Sequence, residues 1–256
     1  MSIVLAFANQ KGGTGKTTTA VNVAAYAANA NKSVLLVDLD PQGNATSGLG
    51  VGKHALKASV YDVLTNTATA VQAVCRTKVQ GLDLLPSNMS LVGAELELVN
   101  EMARENRLKE GLVAARQTYD YIFVDCPPSL GLLTVNAFAA ADGIIVPMQC
   151  EYYALEGLSQ LINSINLVKR HINPALSIFG VVLTMYDPRL NLTQQVETEV
   201  KSYFGDKVFN SVIPRNIRLS EAPSHGLPIC LYDGRSKGAE SYMALTREII
   251  RRGDGR

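Results

Sequence analysis

From residue 9 to residue 18 the chain reads Asn9-Gln10-Lys11-Gly12-Gly13-Thr14-Gly15-Lys16-Thr17-Thr18. A short apolar segment, Ile3 to Ala8, leads into this run, and a long Ala-rich segment, Thr18 to Ala30, leaves it. Strand, glycine-rich loop and helix in that order commit the N-terminus to an α/β sheet and form a cradle for a nucleotide's phosphates. Glycines let the backbone turn tightly and bring N–H groups against oxyanions. The cradle would comprise Lys11, Gly12, Gly13, Thr14, Gly15, Lys16, Thr17 and Thr18. Lys16 would lie against the β- and γ-phosphates, and the Thr17 hydroxyl would be a ligand for Mg²⁺. The run departs from the ordinary G-x-x-x-x-G-K-[ST] pattern: Gln10 stands where glycine is usual, and a second lysine, Lys11, precedes the glycine pair. A lysine five residues ahead of the phosphate lysine is hard to place on its own nucleotide. It is expected to reach across to a second subunit; a solvated loop charge is the competing reading.

Downstream, apolar runs of strand length alternate with helical stretches, which implies parallel strands joined by crossover helices. The expected fold is a doubly wound, mostly parallel sheet with helices on both faces. Strands are expected at Ile3–Ala8, Ser33–Asp38, Leu82–Pro86, Tyr121–Asp125, Gly143–Pro147 and Ile178–Met185. Helices are expected at Lys16–Ala30, Leu91–Gln117, Leu132–Ala140, Leu155–His171, Leu192–Phe204 and Gly238–Arg252. The stretch from Gly50 to Gln80 reads as one short helix, Ser59–Leu64, in irregular chain. With 47% apolar and 18% charged residues a large core can be buried, and no Pro/Ser/Gly-rich linker divides residues 1–256. One domain is expected, with its ligand beyond the carboxyl ends of the strands.

Three aspartates fall at the ends of apolar strands. Asp38 and Asp40 close Leu35-Leu36-Val37-Asp38-Leu39-Asp40, and Asp125 closes Tyr121-Ile122-Phe123-Val124-Asp125. An apolar strand finishing in Asp, after a phosphate loop, is the second half of an NTPase site, with Asp125 holding Mg²⁺ through a water. Asp40, farther out, is assigned to orienting the attacking water and Asp38 to supporting the metal's water shell. Either could instead be an N-cap or turn aspartate, since Asp-Pro favours turns. Pro127-Pro128 stiffens the loop after Asp125, as a γ-phosphate-sensing segment requires and as a purely structural turn also would. Hydrolysis would be in-line attack of water on the γ-phosphoryl group, with Lys11, Lys16 and Asp40 as the catalytic side chains.

Other chemistries find little support. The four cysteines are dispersed without a C-x-x-C pair, which suits ordinary thiols in a reducing cytosol. The three histidines lack metal-ligand spacing. No basic, apolar leader and no run of about 20 apolar residues is present, so no targeting segment or membrane span is expected. A formal net charge of +1 argues against a basic surface over the whole protein but leaves room for a local patch.

The loop, together with Val37-Asp38-Leu39-Asp40-Pro41-Gln42-Gly43-Asn44, Asp125-Cys126-Pro127-Pro128-Ser129-Leu130, Glu151-Tyr152-Tyr153-Ala154-Leu155-Glu156-Gly157 and Pro214-Arg215-Asn216-Ile217-Arg218-Leu219-Ser220-Glu221-Ala222-Pro223-Ser224, resembles the ParA/Soj chromosome-partitioning ATPases of the MinD-like P-loop group. The similarity runs through essentially the whole chain. Thr14 stands where that family often has valine, a change of little weight because only its N–H faces phosphate. The resemblance implies ATP and Mg²⁺ as ligands and a homodimer closed face to face on two ATP molecules, each Lys11 contacting the other subunit's phosphates. It implies that Pro214 and Asn216 border the adenine, where sequence chemistry alone reads a proline-bounded loop. It also implies binding of double-stranded DNA without sequence preference and release by a ParB-like centromere-binding partner. The location would then be cytoplasmic and nucleoid-associated. Arg189 and Arg218 are the foremost DNA candidates, with Arg215 and Lys237 behind them; solvated surface charge is the competing reading. A sequence-reading domain ahead of the ATPase is not expected.

Two other classes compete. A MinD-type membrane-surface ATPase needs an amphipathic helix beyond the domain. The glycines of Arg251-Arg252-Gly253-Asp254-Gly255-Arg256 are expected to stop the helix instead. An iron–sulfur ATPase needs two cysteines per subunit at the dimer face, and neither Cys126 nor Cys150 has a supporting motif.

Overall fold

The computed structural model describes residues 2–151 and 154–255. Its strands are β1 (Ile3–Phe7), β2 (Val34–Asp38), β3 (Cys75–Arg76), β4 (Leu82–Leu85), β5 (Tyr121–Asp125), β6 (Gly143–Gln149), β7 (Ile178–Tyr186) and β8 (Ile213–Pro214). They form one sheet in the order β3-β4-β2-β5-β1-β6-β7-β8, and among the described residues only the β3–β4 pair is antiparallel. The helices are α1 (Lys16–Asn29), α2 (Asn44–Gly48), α3 (Val60–Leu64), α4 (Ala70–Ala73), α5 (Leu91–Glu97), α6 (Arg107–Gly111) and α7 (Ala115–Thr118). They continue as α8 (Leu132–Ala140), α9 (Ala154–His171), α10 (Asn191–Phe204), α11 (Ile217–Glu221), α12 (Ile229–Tyr232) and α13 (Lys237–Asp254).

Alternation along each central strand feeds two cores. Val4, Ala6, Ile122 and Val124 face one side, where Phe138, Leu161 and Val200 cover them. Leu5, Phe7, Tyr121 and Phe123 face the other, against Val23, Ala27, Leu245 and Ile249 of α1 and α13. Side chains alternate across a strand, so burial on both faces requires an apolar residue at every position. Every residue of β2 and β5 is buried accordingly.

The expected strands and most of the expected helices lie within two residues of their observed bounds. The exception is Leu91–Gln117, which is no single helix. After α5 the chain makes a 3₁₀ turn and extends at Glu101, where ψ is 136°. Ala103 is left-handed at φ 52°, and a second 3₁₀ turn precedes α6. The residue types favour helix, but a contact from elsewhere decides. The Asn136 side chain of α8 accepts from Leu108 N (3.0 Å) and donates to Arg104 O (2.9 Å), capping ends that a continuous helix would not have. The Gly50–Gln80 stretch holds more structure than expected. Besides α3, capped by Ser59 and Asp62, it contains α4 and β3. β8 is a further addition to the expected strands; it is two residues long and ends in proline, as an edge strand tolerates.

Gly253 does not stop the last helix. α13 continues to Asp254 with Gly255 as its C-cap, so the stop falls at the second of the two glycines, and Gly253 is buried where a Cβ would clash with Tyr121 Oη. Close approach to β5, not termination, is its role. Among the described residues no helix is long and apolar enough to cross a membrane.

Candidate nucleotide site

The carboxyl ends of β1, β2, β5 and β7 surround one cavity of about 610 Å³, lined by Gly12 to Thr18 without Thr14, by the Asp40–Asn44 turn, and by Pro127, Pro128 and Ser129. Gly13 (φ 76°) and Gly15 (φ 80°) take the left-handed conformation that lets this loop fold back on itself. Gly15 is the N-cap of α1 and offers no side chain, so the first amides of the helix are left for an anion. Thr184 Oγ1 donates to Thr14 O (2.8 Å) and ties the loop to β7. Asn9 Nδ2 donates to Pro147 O (2.8 Å) and Asn9 Oδ1 accepts from Lys11 N (3.1 Å), fixing the loop's entry.

Lys16 is 7% exposed, and its ammonium donates to Lys11 O at 3.2 Å. Burial pushes its pKa down, and the facing charges of Asp125, Cys126 and Asp40 pull the other way. Asp38 and Asp125 stand opposite each other in the β2–β5 register. Asp38 accepts from Asp40 N (3.2 Å), Thr46 N (2.7 Å) and Thr46 Oγ1 (2.7 Å). Burial nonetheless pushes its carboxyl up to about 6. It is therefore first of all the anchor of the turn that carries Asp40. That turn is closed by Gln42 N donating to Asp40 Oδ1 (2.9 Å) and by Gly43 at φ 60°.

Asp125 is different. It is fully buried and neither of its carboxylate oxygens has a hydrogen-bond partner. Burial, then the nearby Asp38, hold its pKa well above the usual carboxylate range; the Thr17 hydroxyl and Lys16 oppose them. Thr17 faces it without reaching hydrogen-bond geometry. Orphaned buried oxygens in native structures need an explanation. Two hard oxygens and a hydroxyl beside a phosphate cradle fit Mg²⁺.

A second cleft of about 410 Å³ adjoins the first, sharing Gly15, Thr18 and Met185 with it. Pro214, Arg215 and Asn216 border this cleft. Asn216 Oδ1 caps α11 by accepting from Arg218 N (2.8 Å). Met185, expected as a strand end but not as a site residue, takes φ 49° at the end of β7 and lines both spaces. Left-handed non-glycine residues gather at functional sites, but only the position of Met185 at a strand end hinted at it.

Lys11 does not point into its own cradle: its ammonium donates to the Glu151 carboxylate. The Glu151–Gly157 run that includes this carboxylate contains Tyr152 and Tyr153, which lie outside the described residues. Of the basic candidates, Arg189 is 87% exposed and paired with Asp187 at 2.7 Å. Asp187 also feels Arg215, and Arg189 foremost pulls its carboxyl down to about 2. Arg218 pairs with Glu221 (2.9 Å) and Asp233 (3.4 Å). Arg215 and Lys237 are exposed. Cys126 and Cys150 are buried, and burial pushes both thiols up, Cys150 to about 11, which disfavours the thiolates a cluster needs.

A family model described as an AAA domain matches residues 2–178. The sporulation initiation inhibitor protein Soj of Bacillus subtilis is 57% identical over 253 residues, covering 99% of this chain and 100% of that protein. The chromosome partitioning protein ParA of Myxococcus xanthus is 53% identical over 249 residues, covering 97% and 88%. The crystal structure of cobyrinic acid a,c-diamide synthase from Mycobacterium smegmatis, with bound ATP analogue and magnesium, superposes with a TM-score of 0.88 at 37% identity over 100% of this chain and 98% of that one. Identities of 57% and 53%, against 37% at comparable coverage, favour the two partitioning proteins over the synthase. The chain belongs to the ParA/Soj family of chromosome-partitioning ATPases.

Proposed function

We propose that this ATPase is a DNA-segregation switch. Two subunits close face to face on two ATP molecules, the closed homodimer binds double-stranded DNA without sequence preference, and a ParB-like centromere-binding protein stimulates hydrolysis and release. The observation that carries the reading is Lys11, whose ammonium lies off its own phosphate cradle while Lys16 fills the place beside the aspartates. In each subunit the amides from Gly12 to Thr18 and the Lys16 ammonium hold the phosphates, and Pro214 and Asn216 border the adenine. Thr17 Oγ1 and, through water, Asp125 would hold Mg²⁺, backed by Asp38; bound there, the ion would supply charge neutralisation to the phosphates. Asp40, oriented by Gln42 N, aligns a water for in-line attack. The new bond forms from water oxygen to the γ-phosphorus and the bond to the β–γ bridging oxygen breaks, giving ADP and phosphate. Lys11 of the second copy offsets the charge that builds up.

The location would be cytoplasmic and nucleoid-associated. The apolar face of the amphipathic α13 is taken up by the core through Tyr242, Leu245 and Ile249, so α13 itself does not offer that face to a bilayer.

Size-exclusion chromatography of Asp40→Ala tests the switch. It is expected to elute as a dimer with ATP and a monomer with ADP, and to carry a nonspecific duplex only with ATP. A monomer in saturating ATP refutes the proposal. Arg218→Glu should dimerise normally and lose duplex binding by at least about tenfold, because each phosphate contact is doubled in a dimer. Undiminished retention at low salt would move the contact to another residue.

A further inference from the structure

Lys11 and Glu151 lie 140 residues apart in sequence and are joined by the sheet. β1 and β6 are parallel neighbours. Ala8 N donates to Ile145 O (3.1 Å) and Asn9 Nδ2 to Pro147 O (2.8 Å), so the loop leaving β1 runs beside the end of β6. There Glu151 N donates back to Gln149 O (2.9 Å) in a tight turn. The Lys11 backbone is held at both ends, its N–H on Asn9 Oδ1 (3.1 Å) and its carbonyl under the Lys16 ammonium (3.2 Å). What is left adjustable is the side chain, and its resting place is the Glu151 carboxylate. The two side chains are 35% and 46% exposed.

We infer that Glu151 is a resting partner for Lys11: it keeps the ammonium occupied in the lone subunit, and the pair must open before Lys11 can meet the triphosphate of a second copy of this chain. Glu151 is thus a positioning residue that raises the threshold for assembly. The inference rests on the cross-subunit role of Lys11 proposed above. A half-exposed ion pair is weak, a few-fold in an equilibrium constant, so a triphosphate displaces it readily. Retention within the dimer would instead bring the Glu151 charge up against the second copy's phosphates, and like charges at contact distance repel. Exchange is therefore the lower-energy course. A two-fold dimer opens the pair twice, so the two effects multiply.

The test uses the full chain with Asp40→Ala to stop turnover. Adding Glu151→Gln, which keeps shape and removes charge, should lower the dimer dissociation constant in ATP by about 3- to 30-fold, read by sedimentation velocity. Affinity of the dilute monomer for ATP should not change. In a Lys11→Ala background the same substitution should have no effect, a result that a merely structural role for Glu151 would not give. An unchanged or weakened dimer with Glu151→Gln overturns the inference. If the Asp40→Ala parent stays monomeric in ATP, the dimer reading fails by itself. The pair is then judged by reductive methylation of the nucleotide-free protein, in which Glu151→Gln should label Lys11 several-fold faster than the parent. Equal labelling rates sink the resting-partner role whatever the dimer does.

Discussion

Lys16→Ala is expected to raise the dissociation constant for ATP at least about 100-fold, to the point where titration calorimetry records no saturable binding. The size follows from where the ammonium sits. It is 7% exposed, at the floor of the cavity, and burial already disfavours its charge. Asp125 and Asp40 face it and pull against that burial, so the ammonium has its partners close by in a dry place. Removing one partner of a buried, hydrogen-bonded charge pair costs about 2–5 kcal/mol, or roughly 30- to 4,000-fold in affinity. A second effect adds to the first. Lys16 is the cation that restrains the pKa of Asp125, so its loss leaves three aspartates facing incoming phosphates with less compensation. Lys16→Arg should not rescue, because the larger planar group cannot occupy the place of a compact ammonium that also donates to Lys11 O. Near-normal ATP affinity in Lys16→Ala would mean that the loop amides alone hold the phosphates.

Residue types reveal the site more fully than the fold around it, for physical reasons. Gly13 and Gly15 must be glycine because the loop is left-handed there, so the need is written in residue type. Asp38 and Asp125 can be matched from their flanking residues alone because each ends a strand buried on both faces, and such strands read as unbroken apolar runs. The segment from Leu91 to Gln117 misleads for the opposite reason. Its composition is helical, and the break ahead of α6 is held by Asn136, a residue that belongs to α8. The Lys11–Glu151 pair is equally hidden, since only the adjacency of β1 and β6 brings the two together. Gly253 misleads through its type alone. Glycine at a helix end suggests a stop, whereas here it admits the Tyr121 ring. Local chemistry is legible in such a chain, and partners fixed by tertiary neighbours are not.

Asp125→Asn is expected to make the nucleotide-free protein more stable while destroying Mg²⁺-dependent hydrolysis. Two fully buried carboxyl groups lie across the β2–β5 pair, and both have pKa values above those of an unfolded chain. A carboxyl raised on folding contributes stability that is complete below its unfolded pKa and is lost as pH climbs through its folded pKa. The nucleotide-free protein should therefore lose stability from about pH 4 through 6, the range set by Asp38, and go on losing it above that through Asp125. Asp187, Glu197 and Glu221 are shifted the other way by Arg189, Lys201 and Arg218, and they act only on the acid side of that window. Removing the charge with Asn should flatten the profile. A buried group left without partners costs about 1–3 kcal/mol, and more when charged. In a domain of this size that is a rise of about 3–10 °C in thermal midpoint at pH 8, shrinking to nothing near pH 5. ATP with Mg²⁺ should invert the order, because wild type gains about 2.7 kcal/mol at a hundredfold excess over its dissociation constant and the variant gains much less. The crossing is what separates a functional carboxylate from a structural one: a residue kept for the fold would lower the midpoint when replaced, with ligand or without. Scanning calorimetry at pH 5 and pH 8, each with and without Mg²⁺-ATP, reads all four corners, and a variant that melts below wild type at pH 8 without ligand removes the case for Asp125 as the metal's holder.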